Sequence, residues 1–360
     1  ALEHSRIANR NPRKNQTATR MTTYADFLHR KTQLGGEHGF EPLWMPENAF
    51  DFQKHLIEWN CRKGRSADFA DCGLGKTLIQ LAWAENVVRK TNGRVLILTP
   101  LSVGAQTVRE GDKFGIECTR SRDGTLPNAK IVVTNYQQLE KYSPNDFVGV
   151  VCDESSILKN FDGALRSQIT NFMRKLPYRL LCTATAAPND YIELGTSSEA
   201  LGELGFTDMI SRFFKKSEKT YTKSDEYAHG LYRFRGYGER DFWRWVCSWA
   251  RAVRKPSDLG FPNAGYVLPK LNMVQHTIKA LTANPDFLFD MPAIGLAEQR
   301  AERRRSIVER CEKAAALVVN TGKPAVSWCH LNDEGSLLTE MIPDSREVSG
   351  KDDDDYKEET

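Results

Sequence analysis

The run Ala70-Asp71-Cys72-Gly73-Leu74-Gly75-Lys76-Thr77 constrains this chain more than any other segment. It has Walker A spacing, with Ala70 where the first glycine usually stands. Such a loop works where a strand runs in and a helix runs out. An apolar strand is expected over residues 67–70 and a helix over 77–89. Gly73 and Gly75 let backbone N–H groups turn toward phosphate with no side chain in the way. The helix N-terminus adds partial positive charge. Lys76 is spaced to reach the β- and γ-phosphates, and Thr77 to ligate Mg²⁺. The nucleotide-holding run is Gly73, Leu74, Gly75, Lys76, Thr77 and Leu78.

Phosphate binding alone does not specify hydrolysis. The second requirement is an acid at the end of a neighbouring strand. Residues 148–152 run apolar into Asp153 and Glu154. Open α/β sheets bind ligands at the carboxyl ends of their strands. Asp153 would therefore face the nucleotide and hold the metal, and Glu154 would orient the attacking water. Further short apolar runs at 95–99, 131–134 and 179–183, with an amphipathic helix over 50–60, make strands alternate with helices. The expected class is α/β, a phosphate-loop parallel sheet flanked by helices.

The chain has 360 residues, 40% hydrophobic and 27% charged, which excludes a wholly disordered polymer. No apolar run of roughly 18 residues occurs, so no membrane span is expected. Fifty basic against 47 acidic residues give a net charge of +3, so any nucleic-acid footprint must be local. The eight cysteines form no Cys-x-x-Cys pair and read as scattered thiols, not disulfides or a zinc site. A cytoplasmic setting fits.

Residues 1–20 carry Arg6, Arg10, Arg13, Lys14 and Arg20 against Glu3 and read as a disordered or non-native leader before Met21. Residues 21–187 are expected to form the ATP-binding lobe, 188–320 a mainly helical insertion, and 321–360 a further, incomplete unit. Residues 211–255 hold 12 basic, 5 acidic and 11 aromatic residues. That composition suits a surface tracking nucleic acid. Yet Phe242, Trp245 and Trp249 have helical core spacing, which leaves Arg251, Arg254 and Lys255 as the better DNA candidates. Residues 294–320 look helical, with Arg303, Arg304 and Arg305 on a solvated face, and Pro324 opens a strand-like run over 325–329.

Several blocks together resemble one family. Asp153-Glu154-Ser155-Ser156-Ile157-Leu158-Lys159-Asn160 resembles the Asp-Glu-Ala-His-x-x-Lys-Asn block of Swi/Snf-type ATPases of helicase superfamily two. The Gly73-Leu74-Gly75-Lys76-Thr77 loop is similar to that family's. Leu98-Thr99-Pro100-Leu101-Ser102 looks like motif Ia, Val133-Thr134-Asn135-Tyr136 like the later Thr-x-Tyr block, and Thr183-Ala184-Thr185-Ala186-Ala187-Pro188-Asn189 like motif III. The blocks look closest to the phage and prophage, DEAD/DEAH-box-like branch. The resemblance is firm over about residues 50–190.

The resemblance implies a RecA-like lobe, a helical insertion, and over 321–360 the truncated start of a second RecA-like lobe. It implies an ATPase using ATP and Mg²⁺, with Lys76, Asp153 and Glu154 catalytic and Gln53 reading adenine. Ser156, Thr183 and Thr185 would couple hydrolysis to motion, and Thr99, Pro100 and Asn135 would touch DNA, duplex before single strand. The implied function is a DNA translocase or helicase motor in a bacterial or phage-infected cell. Its alternatives are the motor of a restriction or phage-defence complex, with a nuclease or methylase partner, and a nucleotide-gated DNA clamp. Two departures matter. Ser155 and Ser156 replace Ala-His, and the family's motifs V and VI are absent. Motif VI supplies arginine fingers, worth roughly 10³–10⁵ in rate, so poor hydrolysis is expected of this chain alone.

Overall fold

A run such as Val95-Leu96-Ile97-Leu98 has no polar face and can be buried only where both faces of a sheet are covered. The computed structural model has this arrangement. It describes residues 35–159, 163–216, 232–278, 295–353 and 356–357. The 1–20 leader, Asn160 and residues 217–231 of the basic aromatic stretch lie outside the described residues.

Seven strands form one parallel sheet: β1 Arg65–Ala70, β2 Arg94–Thr99, β3 Cys118–Arg120, β4 Ile131–Asn135, β5 Phe147–Asp153, β6 Tyr178–Cys182 and β9 Ala250–Val253. Their order is β3-β4-β2-β5-β6-β1-β9. Strands β7 Phe214–Lys216 and β8 Tyr232–Phe234 make a separate antiparallel pair. Side chains alternate between the faces of the large sheet. Val95 and Ile97 of β2 and Val151 of β5 pack with α1 Asp51–Lys63 and α2 Lys76–Thr91. Leu96 and Leu98, with Val150 and Cys152, pack with α4 Ala164–Met173, α5 Leu194–Leu201, α6 Phe206–Phe213 and α7 Gly238–Trp249. Helix α3 Gly104–Phe114 completes the first layer beside β3. This is the helix-flanked parallel sheet expected from the sequence.

The boundary expected at residue 187 is corrected by the sheet itself. Strand β9 pairs with β1 in parallel, Ala67 opposite Ala250 and Ala70 opposite Val253. Without β9, the phosphate-loop strand would be a sheet edge. Leu194, Ala200, Met209, Phe213, Phe242, Trp245 and Trp249 all belong to the core beneath the sheet. Residues 194–253 are therefore part of the same lobe as the Gly73–Thr77 loop. Trp245 and Trp249 are 1% and 0% exposed; their spacing implied a core role within the insertion, and they lie instead in the core of the large sheet.

The helical pattern over 294–320 resolves into α8 Leu296–Arg305 and α9 Ile307–Thr321, broken at Ser306, with Ile294 outside the described residues. Cys311 and Ala315 of α9 meet Leu338 of α10 Asn332–Met341 in a small cluster of their own, where Arg310 pairs with Glu334. The strand expected over 325–329 is not formed. Val326 and Trp328 there are 80% and 93% exposed. Among the described residues no helix is long and apolar enough to cross a membrane.

Candidate nucleotide-binding site

Because the strands are parallel, the segments leaving β1, β2, β4, β5, β6 and β9 all emerge at one edge of the sheet. The phosphate loop follows β1, with Gly73 and Gly75 at φ +82° and +79°. This left-handed region favours glycine. A Cβ at Gly75 would also meet Nε2 of Gln53, so a larger residue there would strain the backbone and push the Gln53 amide aside. The loop is tied to the sheet where Asp71 N–H donates to the Val253 carbonyl of β9 at 2.8 Å. Lys76 Nζ folds over the loop and donates to the carbonyls of Ala70 (2.9 Å) and Asp71 (3.3 Å). An incoming phosphate would compete for that ammonium. Thr77 is half-buried beside it. Leu74 and Leu78 are 3% and 5% exposed, so they serve the loop as core anchors.

Gln53, expected to read adenine, is a brace of the loop. Its Nε2 donates to the Leu74 carbonyl at 2.9 Å and its Oε1 accepts from Phe50 N–H at 3.0 Å. It is 4% exposed. Each of its polar atoms keeps one remaining hydrogen-bonding position.

Two strands away stands the acidic pair. Asp153 ends β5, and its Oδ1 accepts a 2.6 Å bond from Gln80 Nε2 of α2. Burial raises the Asp153 carboxyl above the usual carboxylate range, as does neighbouring Glu154, while Gln80 and Lys76 oppose the shift. The Asp153 carbonyl accepts from the Tyr136 hydroxyl at 2.5 Å, so the tyrosine of the Thr-x-Tyr block clamps the acidic turn from β4. Glu154 takes φ +52°, an uncommon conformation for a non-glycine residue that tends to mark functional sites.

The turn points Glu154 at the next strand. Its Oε1 accepts from Thr183 Oγ1 at 2.6 Å, Ser156 Oγ at 2.8 Å and, more distantly, Thr185 Oγ1 at 3.4 Å. Thr183 Oγ1 in turn accepts from Thr185 N–H at 3.0 Å. The three residues expected to couple hydrolysis to motion converge on a single carboxylate oxygen. Ser156 reaches Glu154 although it stands where the resembling family has histidine.

The DNA candidates divide. Thr99 is fully buried and donates to the Thr134 carbonyl at 3.3 Å. Asn135 caps the turn of helix that follows β4, accepting from Gln138 N–H. Arg251 stacks its guanidinium 4.1 Å from the centroid of the Trp59 ring and donates to the carbonyls of Cys247 and Ala250. These three side chains are engaged inside the fold. Pro100 is partly exposed, and Arg254 and Lys255 are exposed beyond the carboxyl end of β9.

Sequence reasoning passed over Gln80 and Asp68, and named Tyr136 only as part of a block, with no task of its own. Gln80 had a visible signal: a polar residue one helical turn after Lys76, inside the apolar run Leu78-Ile79-Gln80-Leu81. Asp68 lies in β1, 1% exposed, accepting from Asn60 Nδ2 at 2.6 Å.

No family model matches the chain, and no curated protein does. Among solved structures it is similar to the SWI2/SNF2 ATPase core of Sulfolobus solfataricus in complex with dsDNA, at 21% identity over 48% of this chain and 40% of that one, TM-score 0.40. The UvsW helicase of bacteriophage T4 is similar at 15% identity over 51% of this chain and 67% of that one, TM-score 0.37. The Hef helicase domain of Pyrococcus furiosus is similar at 19% identity over 47% and 40%, TM-score 0.36. This chain thus spans less than half of the Sulfolobus and Pyrococcus chains.

Proposed function

We propose that this chain is the ATP-binding lobe of a nucleic-acid motor, acting on DNA, in the Swi/Snf-type branch of helicase superfamily two. The observation that carries the reading is the convergence of Thr183, Ser156 and Thr185 on Oε1 of Glu154. A phosphate-binding protein that only held nucleotide would have no need of a carboxylate wired by hydroxyls to the neighbouring strand.

Each residue has a task in this reading. The loop backbone from Gly73 to Thr77 cradles phosphate, and Lys76 moves from its carbonyl perch to the β- and γ-phosphates. Thr77 and Asp153 offer only hard oxygen donors, which suits Mg²⁺ and not a thiophilic metal. When bound, Mg²⁺ neutralises charge developing on the phosphates. Glu154, oriented by its hydroxyl donors, holds the attacking water and takes up its proton. Any change at Glu154 is then felt by Thr183 and Thr185 at the end of β6. Arg254, Lys255 and Pro100 face solvent at the same sheet edge and are the residues through which DNA is contacted.

The test is phosphate release from ATP by the full-length protein, with and without duplex DNA, for wild type and Lys76→Ala. Release that DNA stimulates and Lys76→Ala abolishes is the expected result. ATP binding with no release under any condition would overturn the motor and favour a nucleotide-gated clamp.

A further inference from the structure

Gln80 is an expensive residue for its position. It sits on α2 facing the sheet, 1% exposed, among Ile79, Leu81 and Ala82, where leucine or methionine would pack at no polar cost. Its Nε2 is spent on Asp153 Oδ1 at 2.6 Å, and its Oε1 is buried with no hydrogen-bond partner. The orientation of the amide follows from the network, because a carboxylate can face the N–H₂ end but not the carbonyl end. An amide at this depth with its carbonyl oxygen unpaired adds little stability. What it does accomplish is local. It joins the helix that begins at Lys76 to the carboxylate that ends β5, one turn beyond Thr77.

We propose that Gln80 is a positioning residue for the divalent-cation site. It locks the Asp153 carboxylate in one rotamer relative to Thr77, so that the cation meets a preformed pair of oxygen donors. This rests on the reading above that Thr77 and Asp153 hold Mg²⁺. Loop and helix then move with the acid as one rigid unit, and the cation finds its ligands without first ordering a free carboxylate. Hydrogen bonds to charged groups are strong enough that losing this one should weaken cation binding about 10- to 100-fold.

The experiment is equilibrium binding of a fluorescent ATP analogue to the full chain, titrated with MgCl₂ and repeated in EDTA, for wild type and Gln80→Met. Methionine keeps the volume and removes the donor. In EDTA the variant should bind the analogue within about twofold of wild type, which also reports an intact fold. The Mg²⁺ concentration giving half of the affinity gain should rise about 10- to 100-fold. An unchanged Mg²⁺ midpoint in a variant that still binds the analogue would overturn the role of Gln80. A wild type with no Mg²⁺-dependent gain would instead overturn the assignment of Thr77 and Asp153 as metal ligands. If Gln80→Met loses metal-free binding, Gln80→Ala, which relieves any misfit of the longer side chain, carries the same comparison.

Discussion

Three hydroxyls share one oxygen of Glu154, and the shortest of these contacts, 2.6 Å to Thr183 Oγ1, is the one that crosses to the next strand. Ser156 at 2.8 Å is a local brace from within the same turn. Removing the brace should misplace the carboxylate without touching nucleotide binding. Ser156→Ala is therefore expected to lower kcat for ATP about tenfold, the lower end for a bond to a charged acceptor, with nucleotide affinity unchanged. Thr183→Ala should cost more and also blunt the response to DNA. Steady-state phosphate release beside analogue binding separates the two effects.

Asp68 makes a different residue-level prediction. Burial raises its carboxyl from 3.8 to about 7, against opposing contributions from Asn60 and Arg251. Between those two values the folded chain holds a proton that the unfolded chain has lost. This contribution to stability is fully present below pH 4, falls as pH rises, and is gone above about pH 7. The span corresponds to an upper limit on the order of 4 kcal/mol. Asp153 and Glu203, also raised mainly by burial, act in the same direction. Asp68→Asn should flatten the decline in melting temperature between pH 5 and 8 and melt higher than wild type at pH 8. Thermal unfolding across that range checks it, and an undiminished slope would remove Asp68 as its source.

At the scale of elements, the addition that matters most is β9 with the helix before it. Trp249 of α7 is fully buried and meets Phe69 of β1 edge to face at 6.1 Å between ring centroids. Its indole N–H has no partner, so the ring alone supplies its worth. Trp249→Ala should cost about 3–5 kcal/mol and Trp249→Phe much less, read from denaturant unfolding. A fragment of residues 35–187 should fail to fold cooperatively, whereas residues 35–268 should fold, because Tyr266 still packs on Phe50 and Phe52.

The strands around the phosphate loop were legible because each is an apolar run that only a doubly covered sheet can hide. The acidic pair and the Thr183–Thr185 block were legible because their chemistry demands strand ends. Strand β9 was not. Ala250-Arg251-Ala252-Val253 is short and carries a cation, and its strand character comes from pairing with β1, while Arg251 lies over Trp59. The run 325–329 erred the other way: apolar residues suggested a strand, but pairing is a property of a neighbour. Motif spacing could not show that the Gln53 amide already holds the Leu74 carbonyl.

At the scale of the molecule, charge decides how DNA could be held. A net charge of +3 over 360 residues gives no long-range field to draw in a polyanion. In the proposed reading, affinity comes from local cations such as those beyond the strand ends, and the structure sorts those cations. Arg254 keeps 84% of its side chain exposed despite an ion pair with Asp258 at 3.5 Å, and Lys255 beside it is exposed. Arg251 has its guanidinium committed to Trp59 and two carbonyls. Each phosphate neutralised contributes a slope of about −0.9 to the log–log dependence of affinity on salt. The pair Arg254→Ala, Lys255→Ala should therefore make that slope shallower by nearly two, with melting temperature unchanged. Arg251→Ala should leave the slope alone and lower the melting temperature, because it uncovers Trp59 and strips β9 of its anchor. Fluorescence anisotropy with a labelled duplex between 50 and 200 mM salt distinguishes them. A slope that follows Arg251 instead would mean that the guanidinium leaves Trp59 for the phosphate backbone, and that the basic surface extends back onto the outer edge of the sheet.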